Sequence, residues 1–114
     1  MASVVAFIPD LLFGSNVVGA LSAAGHDVQL VSDPGGVSFE GVDVLVVDLT
    51  ADAASRIAMV DRIERHAVPT LAFYSHVETE VRVQAEGAGF DLVVPRSRMA
   101  REGAALVGRL AERA

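Results

Sequence analysis

The stretch Val42-Asp43-Val44-Leu45-Val46-Val47, which ends at Asp48, decides how this chain folds. It is a nearly unbroken run of β-branched and aliphatic side chains, with little alternation between apolar and polar residues. Such runs are typical of strands that are buried on both faces, as in parallel sheets. We therefore predict a central strand here, with the Asp48 carboxylate at its carboxyl end.

Four further apolar runs flank the central one at regular intervals. They comprise residues 4–8, 28–31, 70–74 and 92–94. Between the runs, apolar residues recur at helical spacing, which predicts helices over residues 11–24, 51–66, 78–88 and 99–111. The second connection differs, because the turn signal Asp33-Pro34-Gly35-Gly36 leaves only residues 37–40 for one helical turn.

Strands that alternate with helices predict one α/β domain over residues 1–114. The expected architecture is a doubly wound, five-stranded parallel sheet of flavodoxin-like type, with strand order 2-1-3-4-5 and a shortened second helix. Ligands of such sheets bind outside the carboxyl ends of the strands, where the chain direction switches between strands 1 and 3.

The composition narrows the possible functions. The chain has a net charge of −6, no cysteine and no lysine, and its first basic residue is Arg56. Thiol and Schiff-base chemistry are excluded, and dispersed arginines on an acidic chain argue against binding nucleic acid. The longest uncharged stretch, residues 11–25, is shorter than a membrane span. With no signal peptide in the first ten residues, we expect a cytoplasmic protein.

The candidate site residues lie at the carboxyl ends of the predicted strands. They are Asp10, Asp48, Ser75, His76 and Arg96. Asp48 suits either a phosphoacceptor or metal ligand, or a carboxylate that caps backbone amides in the following turn. These two interpretations remain open on the sequence alone.

Each of the other four candidates has a structural explanation beside the functional one. Asp10 stands at a helix N-cap position, and Ser75 with Glu78 reads as a capping box. His76 is a loop histidine without a second histidine or cysteine nearby. Arg96 could hold an anion or pair with Asp48 or Asp10, and it could equally be an exposed arginine ahead of the last helix.

At these residues the chain resembles a response-regulator receiver domain of the chemotaxis-regulator kind, over nearly its whole length. The resemblance rests on residues 44–48, 68–75 and 85–91. It implies that Asp48 occupies the position of the phosphoacceptor aspartate and Ser75 that of the switch Ser/Thr. A phosphoacceptor would also imply Mg²⁺, for which Asp10 and Asp48 are weak candidates.

The chain departs from this family at several positions. The family's acidic pair falls on Ile8 and Pro9, its invariant lysine falls on Val94, and its switch aromatic falls on Asp91 or Phe90. Phosphoryl transfer to a carboxylate normally needs a divalent ion and a cation to neutralise the developing charge. We therefore expect a degenerate, phosphorylation-independent pseudo-receiver without cofactor, metal site or enzymatic activity.

Three hypotheses for the function follow from the sequence. The first is a bacterial signalling module that binds a protein partner, or a second copy, through the last two helices and strand 5. The second is a phosphoacceptor that uses Asp48, with Ser75 and Arg96 completing the site. The third is a small-ligand binder or enzyme that uses the crevice residues.

Overall fold

The computed structural model describes residues 1–65 and 67–113 as one five-stranded sheet flanked by helices. All four strand pairings are parallel, and the strand order is β2-β1-β3-β4-β5, which confirms the predicted topology. The strands are β1 (Ser3–Phe7), β2 (Asp27–Val31), β3 (Val44–Asp48), β4 (Thr70–Tyr74) and β5 (Leu92–Pro95). The helices are α1 (Leu11–Ala23), α2 (Ala53–Arg62), α3 (Thr79–Gly87) and α4 (Arg96–Glu112).

The apolar strands are buried between two layers of helices, as their unbroken hydrophobic runs predict. Helices α1 and α4 cover one face, where Val4, Val46 and Phe73 form part of the core. Helices α2 and α3 cover the other face over Val5, Val47 and Ala72. All five residues of β3 are buried, so Asp48 closes a strand that has little contact with water.

The shortened second connection is present, as predicted. Residues 37–40, where the sequence allows one helical turn at most, form none, because a single 3₁₀ turn forms earlier, at Pro34–Gly36, and Val37 is already extended. The Asp33 side chain accepts a hydrogen bond from Gly35 N at 2.8 Å, and the fixed φ of Pro34 suits a helix start. The cap and the proline together place the turn.

Two helices differ from their predicted bounds by more than one residue at an end. The second predicted helix is shorter, because Asp52 adopts a left-handed φ of 49° ahead of Ala53 and Ile63 is extended. His66, the predicted end of that helix, lies outside the described residues, as does Ala114 at the end of the domain. The last helix begins at Arg96, directly after Pro95, so Arg96 belongs to the helix and does not precede it.

Helix α1 follows the sequence signals closely. Asp10 is its N-cap and accepts a hydrogen bond from Phe13 N at 3.0 Å, and Gly25 with a φ of 91° follows its C-terminus. Within the described residues, none of the helices has the length and hydropathy that crossing a bilayer requires.

Candidate functional site

Asp48 lies at the carboxyl end of the central strand, with only 2% of its surface exposed. It pairs in register with Phe73 on β4, while β1 flanks the other side of β3. The position is the switch point that a doubly wound sheet uses for ligands. A carboxylate that is this deeply buried needs hydrogen bonds and a counter-charge to remain ionised.

Thr50 supplies two of these hydrogen bonds. Its backbone N donates to Oδ1 of Asp48 at 2.8 Å, and its Oγ1 hydroxyl donates to the same oxygen. The carboxylate therefore caps the turn that leaves β3, which is the structural role considered for Asp48 from the sequence. Thr50 is itself partly buried, so both bonds are shielded from water.

Arg56 supplies the counter-charge. Its Nη1 lies 3.4 Å from Oδ2 of Asp48 and donates a hydrogen bond to the backbone O of Asp48 at 3.0 Å. Arg56 stands on the fourth residue of α2, and its side chain is only 12% exposed. The guanidinium therefore occupies the space beside the carboxylate and ties α2 to the end of β3.

These contacts define what the Asp48 carboxylate can do chemically. Oδ1 accepts two hydrogen bonds from Thr50, and Oδ2 faces a cation. Oδ1 is thus engaged by the turn, and Oδ2 is the oxygen with remaining acceptor capacity, which it presents to Arg56. Among residues 1–65 and 67–113, no three His, Asp or Glu side chains gather as a metal site would require.

Asp10 acts as the N-cap of α1. Its side chain is exposed and holds the first turn of α1 through Phe13 N. The cap role predicted for Asp10 is confirmed.

Ser75 and His76 follow β4 in a turn. The predicted capping box is wrong, because α3 begins at Thr79 with Glu78 at its N-cap and without a side-chain cap. Instead, the backbone O of Ser75 accepts a hydrogen bond from Glu78 N at 2.8 Å, which closes a turn before the helix. Ser75 is half-buried, whereas His76 is exposed.

Arg96 does not pair with Asp48 in this structure. Its guanidinium carbon lies 5.6 Å from the centre of the Phe13 ring, a cation–π geometry at the start of α4. Phe13 in turn packs on Phe73, with ring centres 5.0 Å apart. Arg96 is exposed and lies over the Phe13 ring, whereas the cation beside Asp48 is Arg56.

Comparison with known proteins supports the fold through solved structures, whereas the sequence comparisons give no match. No protein-family model matches the sequence, and no curated protein matches it. Many solved structures match, including a response regulator receiver domain protein from Clostridium thermocellum, with a TM-score of 0.83 and 13% identity over 99% of this chain and 96% of that one. The receiver domain of the Francisella response regulator 1452 matches with a TM-score of 0.78 and 16% identity, over 99% of this chain and 98% of that one.

This chain has the fold of a response-regulator receiver domain. A putative pilus assembly-related protein from Burkholderia pseudomallei shares the fold as well, with a TM-score of 0.80 and 16% identity over 98% of this chain and 90% of that one. At these identities the likeness concerns the fold alone, so the chemistry of the site depends on the residues present here.

In this receiver-like domain, three positions that the resemblance assigns to charged residues carry apolar ones. Ile8 and Val94 are each 1% exposed and belong to the core beneath α1 and α4, and Pro9 is half-buried. Ile8 and Pro9 thus offer Asp48 no carboxylate, and the Asp10 carboxylate is engaged as the cap of α1. The residues present do not fit a magnesium ion at this end of the sheet.

Arg56 is the residue at this site that the sequence did not single out. It is the first arginine in the chain and follows Asp48 by eight residues, but this spacing alone does not assign the pair. Two aspartates outside the site also have structural roles. Asp43 accepts from Ser3 N at 2.8 Å, and Asp91, at the position of the switch aromatic, accepts from Thr70 N at 2.8 Å.

Proposed function

We propose that this receiver-like domain is a signalling module that acts by binding another protein, independently of phosphorylation at Asp48. The observation that carries the proposal is the Arg56–Asp48 pair, together with the two hydrogen bonds from Thr50. The proposal assigns no reaction and no cofactor to the chain.

The charge arrangement around Asp48 supports this proposal. A phosphoryl group arriving at Asp48 would add negative charge, which in phosphoryl transfer is neutralised by a divalent ion and a cation. Here Arg56 already neutralises the carboxylate, and Ile8 and Pro9 offer no carboxylate for a metal. A guanidinium fork cannot replace a metal that coordinates both the acceptor and the donor oxygens.

Burial of the Asp48 carboxylate supports it as well. A phosphodonor must approach an acceptor oxygen in line with the leaving group. Asp48 is 2% exposed, so an attack would first require Thr50 and Arg56 to release their contacts. We infer that the pair keeps the domain in one state, which suits an adaptor better than a switch.

The partner-binding face that we propose comprises α3, β5 and α4. Helix α3 exposes Val83 at 70%, and α4 exposes Arg101 and Arg109. Helix α4 carries more arginine than glutamate on a chain whose net charge is −6. The exposed arginines of α4 beside Val83 would favour a partner with an acidic patch at the α4 side of this face. We further infer a cytoplasmic location, since a chain without cysteine suits a reducing compartment.

A phosphorylation assay tests the first half of the proposal. The protein is incubated with acetyl phosphate and Mg²⁺, and the intact mass is measured beside that of the Asp48→Asn variant. We expect neither protein to gain a phosphoryl group. A phosphoryl increment that appears in the wild type and is absent from Asp48→Asn would establish the phosphoacceptor alternative instead.

A binding assay tests the second half of the proposal, which is that the domain binds a partner protein through α3, β5 and α4. A protein captured from the native lysate should bind wild type and Asp48→Asn equally, with or without acetyl phosphate. Val83→Glu and Arg101→Glu should each weaken this binding at least tenfold. Arg62→Glu, an exposed charge reversal on α2, is the matched control and should leave binding unchanged. Equal binding by all variants would rule out the proposed face.

A further inference from the structure

The outer edge of the sheet at β2 has an open backbone. Strand β2 pairs only with β1, and Asp27 N donates to Ala2 O while Val31 O accepts from Ile8 N. Because backbone groups alternate along a strand, Val28 and Leu30 turn their N–H and C=O groups away from β1. In the described part of the chain, no neighbouring strand lies on that side.

Apart from the exposed Asp27 at its start, this edge has none of the usual protection against pairing. Natural edge strands are typically blocked by proline, lysine, a bulge or a covering element. Here the strand reads Asp-Val-Gln-Leu-Val, and the second crossover is reduced to the Pro34–Gly36 turn. Asp27 and Gln29 are exposed, so the layer formed by α2 and α3 leaves these two residues of β2 uncovered and reaches only Val31.

Helix α1 lies directly above the same edge. A Cβ added at Gly14 would meet both methyl groups of Leu30 at 3.0 Å, so the helix backbone rests on β2. Its side towards α4 includes Phe13 and Ala20, which line a cavity of about 210 Å³ between the two helices. The opposite flank therefore overhangs the open edge of the sheet.

The overhanging flank of α1 is uncharged. It carries Leu11, Ser15, Val18 and Ser22, at helical spacing on one side. Leu11 is 77% exposed. Together, this flank and β2 contain a single charged side chain, that of Asp27, on a chain whose net charge is −6. Two copies of an acidic chain repel least where their charges are absent.

We propose that β2 and the overhanging flank of α1 form the interface of a twofold-symmetric dimer of this chain. The two β2 strands pair antiparallel about Gln29, which brings Val28 of one copy opposite Leu30 of the other. The residues with outward-facing backbone groups then oppose each other and exchange both hydrogen bonds, and the sheet becomes continuous across ten strands.

The sequence of β2 makes a second copy the best occupant of the edge. Over residues 28–30 the pattern is the same in both directions, with an apolar residue on each side of Gln29, while Asp27 lies opposite Val31 of the other copy. A twofold interface requires this self-complementarity, because each residue meets the copy of its counterpart. At the spacing of paired strands, about 4.8 Å, the two α1 helices come side by side above the new strand pair. The uncharged flanks are the sides that meet.

Substitutions that place a charge at the twofold axis test the proposal. Gln29 is exposed, so its side chain can be replaced without disturbing the core. Sedimentation equilibrium of the wild type should give twice the 11.9 kDa mass of one chain at high concentration. Gln29→Glu and Gln29→Lys should each raise the dimer dissociation constant at least tenfold, because like charges then face each other. Mixing the two variants should restore a dimer that contains one of each.

Three further measurements complete the test. Gln29→Ala is the neutral control and should dimerise as the wild type does. Ser15→Glu should weaken the dimer from the helix side. Amide exchange at Val28 and Leu30 should slow as concentration rises, and exchange at Val93 on β5 should not. Circular dichroism of each variant checks that the monomer remains folded.

Two results would overturn the proposal. The first is that wild-type protein sediments with the mass of a monomer at every concentration, whatever other molecule binds to the β2 edge. The second is a dimer that neither Gln29→Glu nor Gln29→Lys weakens, which would place the contact on another face, such as α3, β5 and α4. Neither result bears on the phosphorylation assay, so the two proposals can fail separately.

Discussion

Arg56 Nη1 lies 3.4 Å from the Asp48 carboxylate and 3.0 Å from the Asp48 backbone oxygen, eight residues back along the chain. One guanidinium group thus binds the side chain and the main chain of the same residue. It connects α2 to the end of the central strand. The contact supplies the counter-charge of the buried carboxylate, and it also joins α2 to β3.

Arg56→Met should lower the free energy of unfolding by about 2–3 kcal/mol, since it leaves a buried carboxylate without its cation. Urea denaturation at neutral pH measures this loss. Adding Asp48→Asn to the Arg56→Met variant should recover part of it, because the uncompensated charge is then gone.

Arg82→Met is the control for that experiment. Arg82 forms an ion pair with Glu86 on α3, and the Glu86 carboxylate raises the pKa of Arg82. Both side chains are more than half exposed, so the loss of unfolding free energy should be much smaller than in Arg56→Met. Equal losses of unfolding free energy in Arg56→Met and Arg82→Met would contradict the view that the buried pair contributes more to stability than the exposed one.

Thr50→Val should cost about 1–2 kcal/mol of stability. The substitution keeps the shape and the backbone N–H but removes the hydroxyl that donates to Asp48 Oδ1. Thr50→Ser retains the donor and should lose less. If the two variants unfold at the same urea concentration, the hydroxyl bond makes no net contribution.

Thr70→Val should cost a similar amount, about 1–2 kcal/mol, at the opposite end of the sheet. Thr70 is fully buried, and its Oγ1 donates to Asp91 Oδ2 at 3.1 Å and accepts from Asp91 N at 3.0 Å. These bonds join the start of β4 to the start of β5. Thermal unfolding followed by circular dichroism measures the change, with Thr70→Ser as the conservative control. An unchanged melting temperature in Thr70→Val would refute this role.

His26→Leu should destabilise the domain by about 1–2 kcal/mol. Its Nδ1 accepts from Ala2 N at 3.1 Å, which leaves Nε2 as the donor to Ala104 O at 3.2 Å. The ring thus ties the start of β1 to α4. His76→Leu, an exposed histidine replaced in the same way, should change stability little. A larger loss at His76 than at His26 would be inconsistent with this bridge.

The strands could be predicted from the sequence because each is marked by its own apolar run, and their order because the connection rules leave few alternatives. Apolar runs such as residues 44–47 can be satisfied only by burial on both faces, and alternating strands and helices admit few topologies. The start of α1 was equally local, since Asp10 caps an amide three residues away. Ser75 and Glu78 matched a capping motif, but a backbone turn between the same two residues formed in its place.

The cation at the site could not be assigned from the sequence. Arg96 follows the end of a predicted strand, as site residues often do, and is the candidate that the sequence offers. Which arginine reaches Asp48 depends on how α2 leaves β3, and the left-handed Asp52 sets that path. A long side chain can extend in many directions, so its partner depends on packing rather than on position in the chain.

The sequence by itself determined the five buried strands, the parallel order of the sheet and the place of Asp48 at the end of the central strand. Hydrophobic periodicity is enough for these features, because burial of apolar surface dominates the choice of fold. Only the tertiary structure decided that Asp48 is paired with Arg56 and held by Thr50, and that the β2 edge lies open beside an uncharged helix flank. Such relationships depend on the directions of side chains and backbone groups in space, which a linear pattern of residue types does not specify.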